Sequence, residues 1–364
     1  MKTNVALIGG FLGAGKTSLI SELALALERS GEKVVVITND QGDHLIDSEM
    51  MEASGIATSE ITGGCFCCRF EDLHDTMKQA VEQYHPTWIL AEAVGSCTDL
   101  VATVYRPLQR LSGNQFRLSP VTIVVDPERA DLVLEEGRTP FPWEIGYLFS
   151  QQIQEADIIL LNKCEIVEAA VMDTVQNKMQ SLNPTARMLK TSAMTRSGLE
   201  GWLEMLQKTD EPSGQSLLSE LDYETYGTAE AKLAWLNCKL NLSRVASFDL
   251  QWFMTEYASL LSSRFTEHSF EAAHVKLMGF SGNMFVKGSL TASGRDWQWT
   301  SSNLQEVLGA TVLVNARICA DTKELADMVI QCAKEVSNQL ALRCELVELQ
   351  SFNPSPPVPT YRDN

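Results

Sequence analysis

The stretch NVALIGGFLGAGKTS, residues 4–18, decides how this chain is read. The apolar run Val5–Ile8 leads into a glycine-rich turn, and Leu19, Leu23, Ala26 and Leu27 follow at helical spacing. Strand, loop and helix in that order are the setting in which Gly10, Gly15, Lys16 and Thr17, spaced G-x-x-x-x-G-K-[ST], form a phosphate-binding loop. Glycines let successive backbone N–H groups turn inward toward phosphate oxygens, and the helix start adds the positive end of its dipole. Gly10, Gly13, Ala14, Gly15, Lys16, Thr17 and Ser18 are therefore expected to line a nucleotide phosphate site. Lys16 would serve the β and γ phosphates, and the Thr17 hydroxyl a Mg²⁺ ion.

Outward from this stretch, apolar strand patterns recur at 33–39, 88–95, 121–126, 157–163 and 186–193. Helical patterns lie between them, near 71–84, 97–110, 144–154, 165–181 and 197–207. Such alternation predicts an α/β fold, a doubly wound and mainly parallel sheet with ligands at the carboxyl ends of its strands. This domain is expected over 1–209. Residues 210–231 are polar and acidic and read as a linker. From Lys232 the pattern changes to β-α-β-β-(β)-β-α-β, which predicts a smaller α+β domain over 232–353, with a loose Pro-rich tail at 354–364.

The chain has 364 residues, and 29 Lys and Arg against 47 Asp and Glu give a formal charge of −18. That balance argues against a nucleic-acid or anionic-membrane surface. No apolar run reaches the roughly 20 residues of a membrane span. The first strand starts at once, so no signal peptide is expected. Nine Cys in a chain of this size read as reduced thiols, which points to the cytoplasm.

Further motifs fall at predicted strand ends. Asp40 closes the second strand, and Glu92 and Gly95 form E-x-x-G after the next. Asp40 and Glu92 suit Mg²⁺, directly or through water, and Gly95 permits close approach to a γ phosphate. With Lys16 they are the candidate catalytic residues. After a later strand come Asn162, Lys163 and Glu165, and after the last one Ser192 and Ala193. A carboxylate that accepts from a ring N–H and an amino group together recognises guanine, so GTP is the expected nucleotide. Between Asp40 and Glu92 stands GGCFCC, residues 63–68. Three thiols in four positions suit a soft or borderline cation, provided the chain turns there. Cys65, Cys67 and Cys68 would leave one tetrahedral position for water, a partner's ligand or a side chain such as His44 or His74. Buried structural cysteines are the other reading.

Together GGFLGAGKTS, the Asn-Asp pair near residue 40, GGCFCC, EAVG and NKCE resemble the CobW-type branch of the metal-centre-assembly GTPases, the group that holds the hydrogenase- and urease-maturation GTPases. The resemblance covers residues 1 to about 205. It implies a GTPase that carries or inserts a metal: Lys16 and Thr17 for phosphate and Mg²⁺, Asp40 and Glu92 for Mg²⁺, Asn162 to Glu165 for guanine. Cys65, Cys67 and Cys68 would hold the carried metal, Zn²⁺ or Co²⁺, with Ni²⁺ a further option. It also implies a client metalloprotein or cofactor-dependent enzyme as partner, slow intrinsic turnover and pairing into a homodimer. The chain departs from the family in writing NDQG for the usual N-E-x-G, Glu165 for the usual Asp, and in lacking a His-rich stretch, with five His in all. Two rival expectations are a nucleotide-gated binding module for a corrinoid- or other cofactor-dependent enzyme, without a metal of its own, and a P-loop ATPase or kinase.

Overall fold

The structure is a computed structural model that describes residues 2–39, 55–112, 115–135, 139–208, 214, 218, 221–302 and 306–363. Asp40 and His44 lie outside these residues. The chain divides into two units: residues 1–41, 47–229 and 356–364 form one, and 42–46 with 230–355 the other.

The first unit begins with strand β1 (Thr3–Gly9) and helix α1 (Lys16–Arg29). Next come β2 (Val34–Asn39), β3 (Ala57–Ile61), α2 (Phe70–Tyr84) and β4 (Trp88–Glu92). A π-helical turn, Val101–Tyr105, leads into α3 (Arg106–Leu111), followed by β5 (Phe116–Leu118), β6 (Thr122–Val125) and α4 (Pro127–Val133). The unit continues through α5 (Trp143–Gln154), β7 (Ile158–Leu161), α6 (Ala169–Leu182), β8 (Arg187–Lys190), α7 (Leu199–Gln207) and α8 (Tyr223–Ala231). The sheet runs β3-β2-β4-β1-β6-β7-β8, all parallel, with β5 paired beside β1. Central strands carry unbroken apolar runs because helices cover both faces. Val5, Ala6, Leu7 and Ile8 of β1 are all buried, and so are Leu19, Leu23 and Leu27 of α1, which pack in the same cluster as Ala6 and Ile8.

The second unit contains β9 (Ala234–Phe248), α9 (Leu250–Glu267), β10 (Glu271–Ser281), β11 (Met284–Leu290), β12 (Gln298–Ser301), β13 (Val307–Cys319), α10 (Thr322–Gln339) and β14 (Arg343–Phe352). Its antiparallel sheet runs β12-β11-β10-β13-β9-β14. Both helices open on an Asp whose side chain accepts backbone N–H bonds, Asp249 and Asp321. The hairpin of β10 and β11 pairs Ser281 with Met284 across Gly282-Asn283.

Two expectations need correction. Residues 210–231 are not linker throughout, since α8 occupies their end and Tyr226 in it is fully buried. The tail is not loose: residues 356–363 belong to the first unit, where Thr360 N–H donates to Cys67 O (2.9 Å) and Asp363 N–H to Ala102 O (2.8 Å). Prolines fix the extended backbone, and the intervening N–H groups find acceptors on the body of the unit.

Candidate functional site

The phosphate-loop candidates sit between β1 and α1. Gly10, Gly13 and Gly15 have φ of +129°, +78° and +89°. A Cβ on Gly10 would lie 2.1 Å from Val124 O, and one on Gly15 would lie 2.4 Å from Asn162 Nδ2. These positions exclude side chains, which leaves a backbone cradle that fits phosphate oxygens. The Lys16 ammonium is buried and donates to Gly10 O at 2.7 Å. Ser18 is exposed on the first turn of α1.

Across β4, the Thr17 hydroxyl donates to Glu92 Oε1 at 2.8 Å. β1 pairs with β4 in a register that sets Ile8 against Glu92, so the sheet itself delivers the carboxylate to the loop. Gly95 follows, and a Cβ there would meet Leu12 Cδ2 at 2.7 Å and Leu12 N at 3.0 Å. The amide of buried Gln152 donates to Gly95 O (3.1 Å) and Cys97 O (2.7 Å), which fixes this loop to α5.

The base-side candidates cluster at β7 and β8. Asn162 Nδ2 donates to Ala14 O at 2.8 Å, while its Oδ1 and Thr191 Oγ1 are buried with no hydrogen-bond partner among the described residues. Orphaned polar atoms of this kind fit a polar ligand edge. Lys163 has φ +61° and donates to Gly13 O (2.9 Å) and Asp126 Oδ2 (2.8 Å). Asp126 also caps α4, accepting from Glu128 N and Arg129 N. Burial alone would raise its carboxyl, but the Lys163 ammonium and then Arg129 outweigh that and hold it below the ordinary carboxylate value. Glu165 is exposed, Ser192 is buried and accepts from Thr195 N, and Ala193 lies half-buried beside it. Cys164 N–H donates to Thr191 O and joins the two base-side loops.

The cysteine loop turns as a shared ion requires. Gly63 and Gly64 have φ of +75° and +155°, and Cys65 O accepts from both Cys68 N (3.0 Å) and Arg69 N (2.9 Å). Cys65 Sγ lies 2.7 Å from Cys67 Sγ and 3.3 Å from Cys68 Sγ, and all three sulfurs lie within 4.8 Å of one another. A fourth thiol, the fully buried Cys97, acts on this group, lowering the Cys65 thiol and raising that of Cys67. Bonds from Cys67 and Cys68, with nearby Cys97, hold Cys65 well below the usual thiol range, while donation to Cys65 pushes Cys67 well up and Cys68 up to about 11. The cluster thus favours one thiolate at Cys65. Of the two His candidates for a further ligand, His74 is buried on α2 against Ser112 Oγ (3.1 Å) and outside the thiol group.

Four residues in this network were given no role in the sequence. Asp126 carried a signal, an Asp-Pro pair after an apolar strand, which marks a helix cap at a strand end. Asn39 ends β2 and ties the cysteine loop to it: Nδ2 donates to Ile61 O (3.0 Å) and Gly64 O (2.7 Å), and Oδ1 accepts from Phe66 N (2.9 Å). It stood in the Asn-Asp pair with no role of its own, and nothing local marked Gln152. Cys97 stood two residues after Gly95, but its pairing with residues about 30 positions earlier is tertiary.

A glycine cradle opening a helix at the carboxyl edge of a parallel sheet, with Glu92 on Thr17 and Asn162 and Lys163 against the cradle's carbonyls, defines a P-loop nucleotide-binding domain. More narrowly, the chain belongs to the CobW/HypB/UreG family: residues 4–190 match its nucleotide-binding-domain model. It is 28% identical over 203 residues to a zinc chaperone CobW from Sinorhizobium sp, covering 50% of this chain and 56% of that one. It is 27% identical over 199 residues to zinc-regulated GTPase metalloprotein activator 1 from Schizosaccharomyces pombe, covering 52% and 45%. Identity to zinc chaperone YeiR from Escherichia coli is 32% over 170 residues, covering 45% and 47%. The chain spans about half the length of the curated relatives it matches. Among the described residues no helix is long and apolar enough to cross a membrane.

Proposed function

We propose that this chain is a GTP-hydrolysing metallochaperone: it couples its nucleotide state to a transition metal held by Cys65, Cys67 and Cys68, and delivers that metal to a client metalloprotein. The observation that carries the reading is the three-thiol cluster, built on a turned loop that Asn39 ties to β2. The names of the relatives favour zinc as the cargo, and three sulfur donors suit it.

In this reading Gly10 to Ser18 cradle the phosphates, and Lys16 leaves Gly10 O to neutralise charge on them. Mg²⁺ supplies Lewis-acid stabilisation of the transferring phosphoryl group when bound, and Thr17 and Glu92 hold it, with Asp40 the further candidate. Gly95 offers the γ phosphate a backbone N–H. Asn162, Lys163 and Glu165 take the guanine with Ser192 and Ala193; the Glu165 carboxylate accepts from the ring. No described side chain is placed as a general base, so water positioning and charge neutralisation do the work and intrinsic turnover is slow.

A Co²⁺ titration of the reduced protein, with and without GTP and Mg²⁺, tests the metal half. A stoichiometric thiolate-to-cobalt absorption band, lost in Cys65→Ser, Cys67→Ser or Cys68→Ser and altered by GTP, is expected; no band in either state refutes it. For the nucleotide half, undiminished GTP turnover in purified Lys16→Ala would remove the mechanism.

A further inference from the structure

We propose that residues 358–363 form a clasp that holds the cysteine loop closed and ties it to the loop following Gly95, so that metal passes on or off the thiols only when the clasp lifts. This rests on the reading of the thiols as metal ligands.

The clasp grips the cysteine loop first. Val358 N–H donates to Cys68 Sγ at 3.3 Å. Thr360 donates twice, from N–H to Cys67 O (2.9 Å) and from Oγ1 to Cys68 O (3.2 Å). Pro357 and Pro359 stiffen the run between these donors. Tyr361 then docks on α2: its hydroxyl donates to Glu71 Oε1 at 2.6 Å and its ring meets Phe70 edge-on, centroids 5.2 Å apart. Arg110 lies over that ring, 5.3 Å from its centroid, and pairs with Asp363.

The next residue reaches the nucleotide side. Arg362 Nε donates to Asp99 Oδ2 at 2.8 Å and Nη2 to Leu218 O at 2.7 Å. Asp99 is 1% exposed, has φ +63°, and also accepts from the Tyr223 hydroxyl. A buried carboxylate in that backbone state needs a cation, and the tail supplies it. Asp99 stands four residues after Gly95. A displacement of the Gly95 loop therefore pulls on Arg362, and through the tail on the groups that fix Cys67 and Cys68.

Exchange kinetics in the full-length protein test this. Thr360→Pro removes two of the three donors to the cysteine loop and leaves that of Val358, and Arg362→Gln removes the cation on Asp99. Each variant is loaded with Co²⁺, and the loss of the thiolate-to-cobalt band to excess chelator is timed with and without GDP. In parallel, the metal-free thiols are timed against a disulfide reagent, and urea unfolding reports whether the fold is kept. Cobalt release and thiol reaction are expected to speed up about tenfold or more, the scale of a lost charge-assisted bond or two neutral ones. In Arg362→Gln the difference between the free and GDP-bound release rates is expected to disappear. Unchanged release in folded Thr360→Pro overturns the clasp. If wild type binds no cobalt, the metal reading falls by itself, and the thiol reaction rate alone decides whether the tail shields Cys68. Tyr361→Phe, which keeps ring packing and backbone, is the milder variant should either of the others fail to fold; it too must accelerate thiol reaction.

Discussion

Replacing Asp126 by Asn tests whether one buried charge pair holds the base-side loops to the phosphate cradle. Lys163 Nζ lies 2.8 Å from Asp126 Oδ2, with the side chains 14% and 3% exposed. At an effective dielectric near 20 the attraction at that separation is about 6 kcal/mol. Stripping both ions of water costs several kcal/mol each, so the intact pair is close to balanced while a stranded partner is not. Asn has Asp's shape and can still accept from Glu128 N and Arg129 N at the start of α4, which keeps the cap out of the comparison. What Asn cannot do is neutralise Lys163, and breaking a buried pair costs about 3–5 kcal/mol. The partial exposure of Lys163 puts the expected loss at the lower end, about 3 kcal/mol at neutral pH. Urea unfolding followed by hydrogen exchange in peptides from 2–39 and 115–135 reads the first unit separately from the second.

The pH dependence has a definite sign. Asp126 is held below its ordinary 3.8 in the folded chain. The stability it contributes is therefore fully present above that value and is lost as pH falls through the depressed folded pKa. The gap between wild type and Asp126→Asn should stay constant from neutral pH down to about 5 and close below about 4. A loss under about 1 kcal/mol at neutral pH, or a gap that stays open in acid, would refute the reasoning.

Three further outcomes are expected. Gly10→Ala forces a Cβ to 2.1 Å from Val124 O at φ +129°, so the unit should lose more than about 3 kcal/mol; Gly31→Ala, at φ +89° with nothing within 4 Å, should lose only about 1 kcal/mol, and equal thermal shifts in the two would contradict the collision. Glu155 is fully buried, and burial first, then the Asp99 charge, pushes its carboxyl up to about 8. The folded chain thus keeps a proton that the unfolded chain has released, and stability from this group falls as pH rises from about 5 to about 8; the wild-type advantage over Glu155→Gln should shrink by up to about 1.4 kcal/mol per pH unit there, and a flat difference would count against it. Asn39→Ala removes three hydrogen bonds around Gly64 and Phe66 and should cost about 2–3 kcal/mol in urea while the three thiols react faster with a disulfide reagent; unchanged thiol rates would mean the loop holds its turn without it.

What was legible in the sequence is what is local. β1, its glycine turn and the start of α1 are written in 15 consecutive residues, and the parallel sheet follows from apolar runs buried on both faces. The β-α-β-β-(β)-β-α-β order of the second unit reads just as directly from alternation and Asp caps. β3 and β5 were hidden because they are short and polar: Ala57–Ile61 is mostly half-exposed, and Phe116–Leu118 has three residues. The tail misled because Pro-rich composition describes backbone stiffness and says nothing of what the stiff segment lies on. The ties made by Gln152 and Asn39 were invisible for a related reason, since their amides bond to main-chain groups of distant loops.

On the proposed reading, these tertiary ties make the nucleotide and thiol motifs one device. The run from Glu92 to Asp99 touches both ends. Glu92 takes the Thr17 hydroxyl, Gly95 packs on Leu12, Cys97 acts on the Cys65 and Cys67 thiols, and Asp99 takes Arg362. Leu12 N would lie only 3.0 Å from a Cβ at Gly95, so loop and cradle leave no slack between them. A packed contact of that kind transmits displacement, because close-packed interiors shift between discrete arrangements and do not compress. On the proposed reading, a phosphate that reorganises the cradle shifts Cys97 relative to the thiols it acts on. The converse carries equal weight: metal that draws Cys65, Cys67 and Cys68 into its own geometry changes what Cys97 can bond to, and so shifts Gly95. Linkage then requires that metal and nucleotide alter each other's affinity by one common factor.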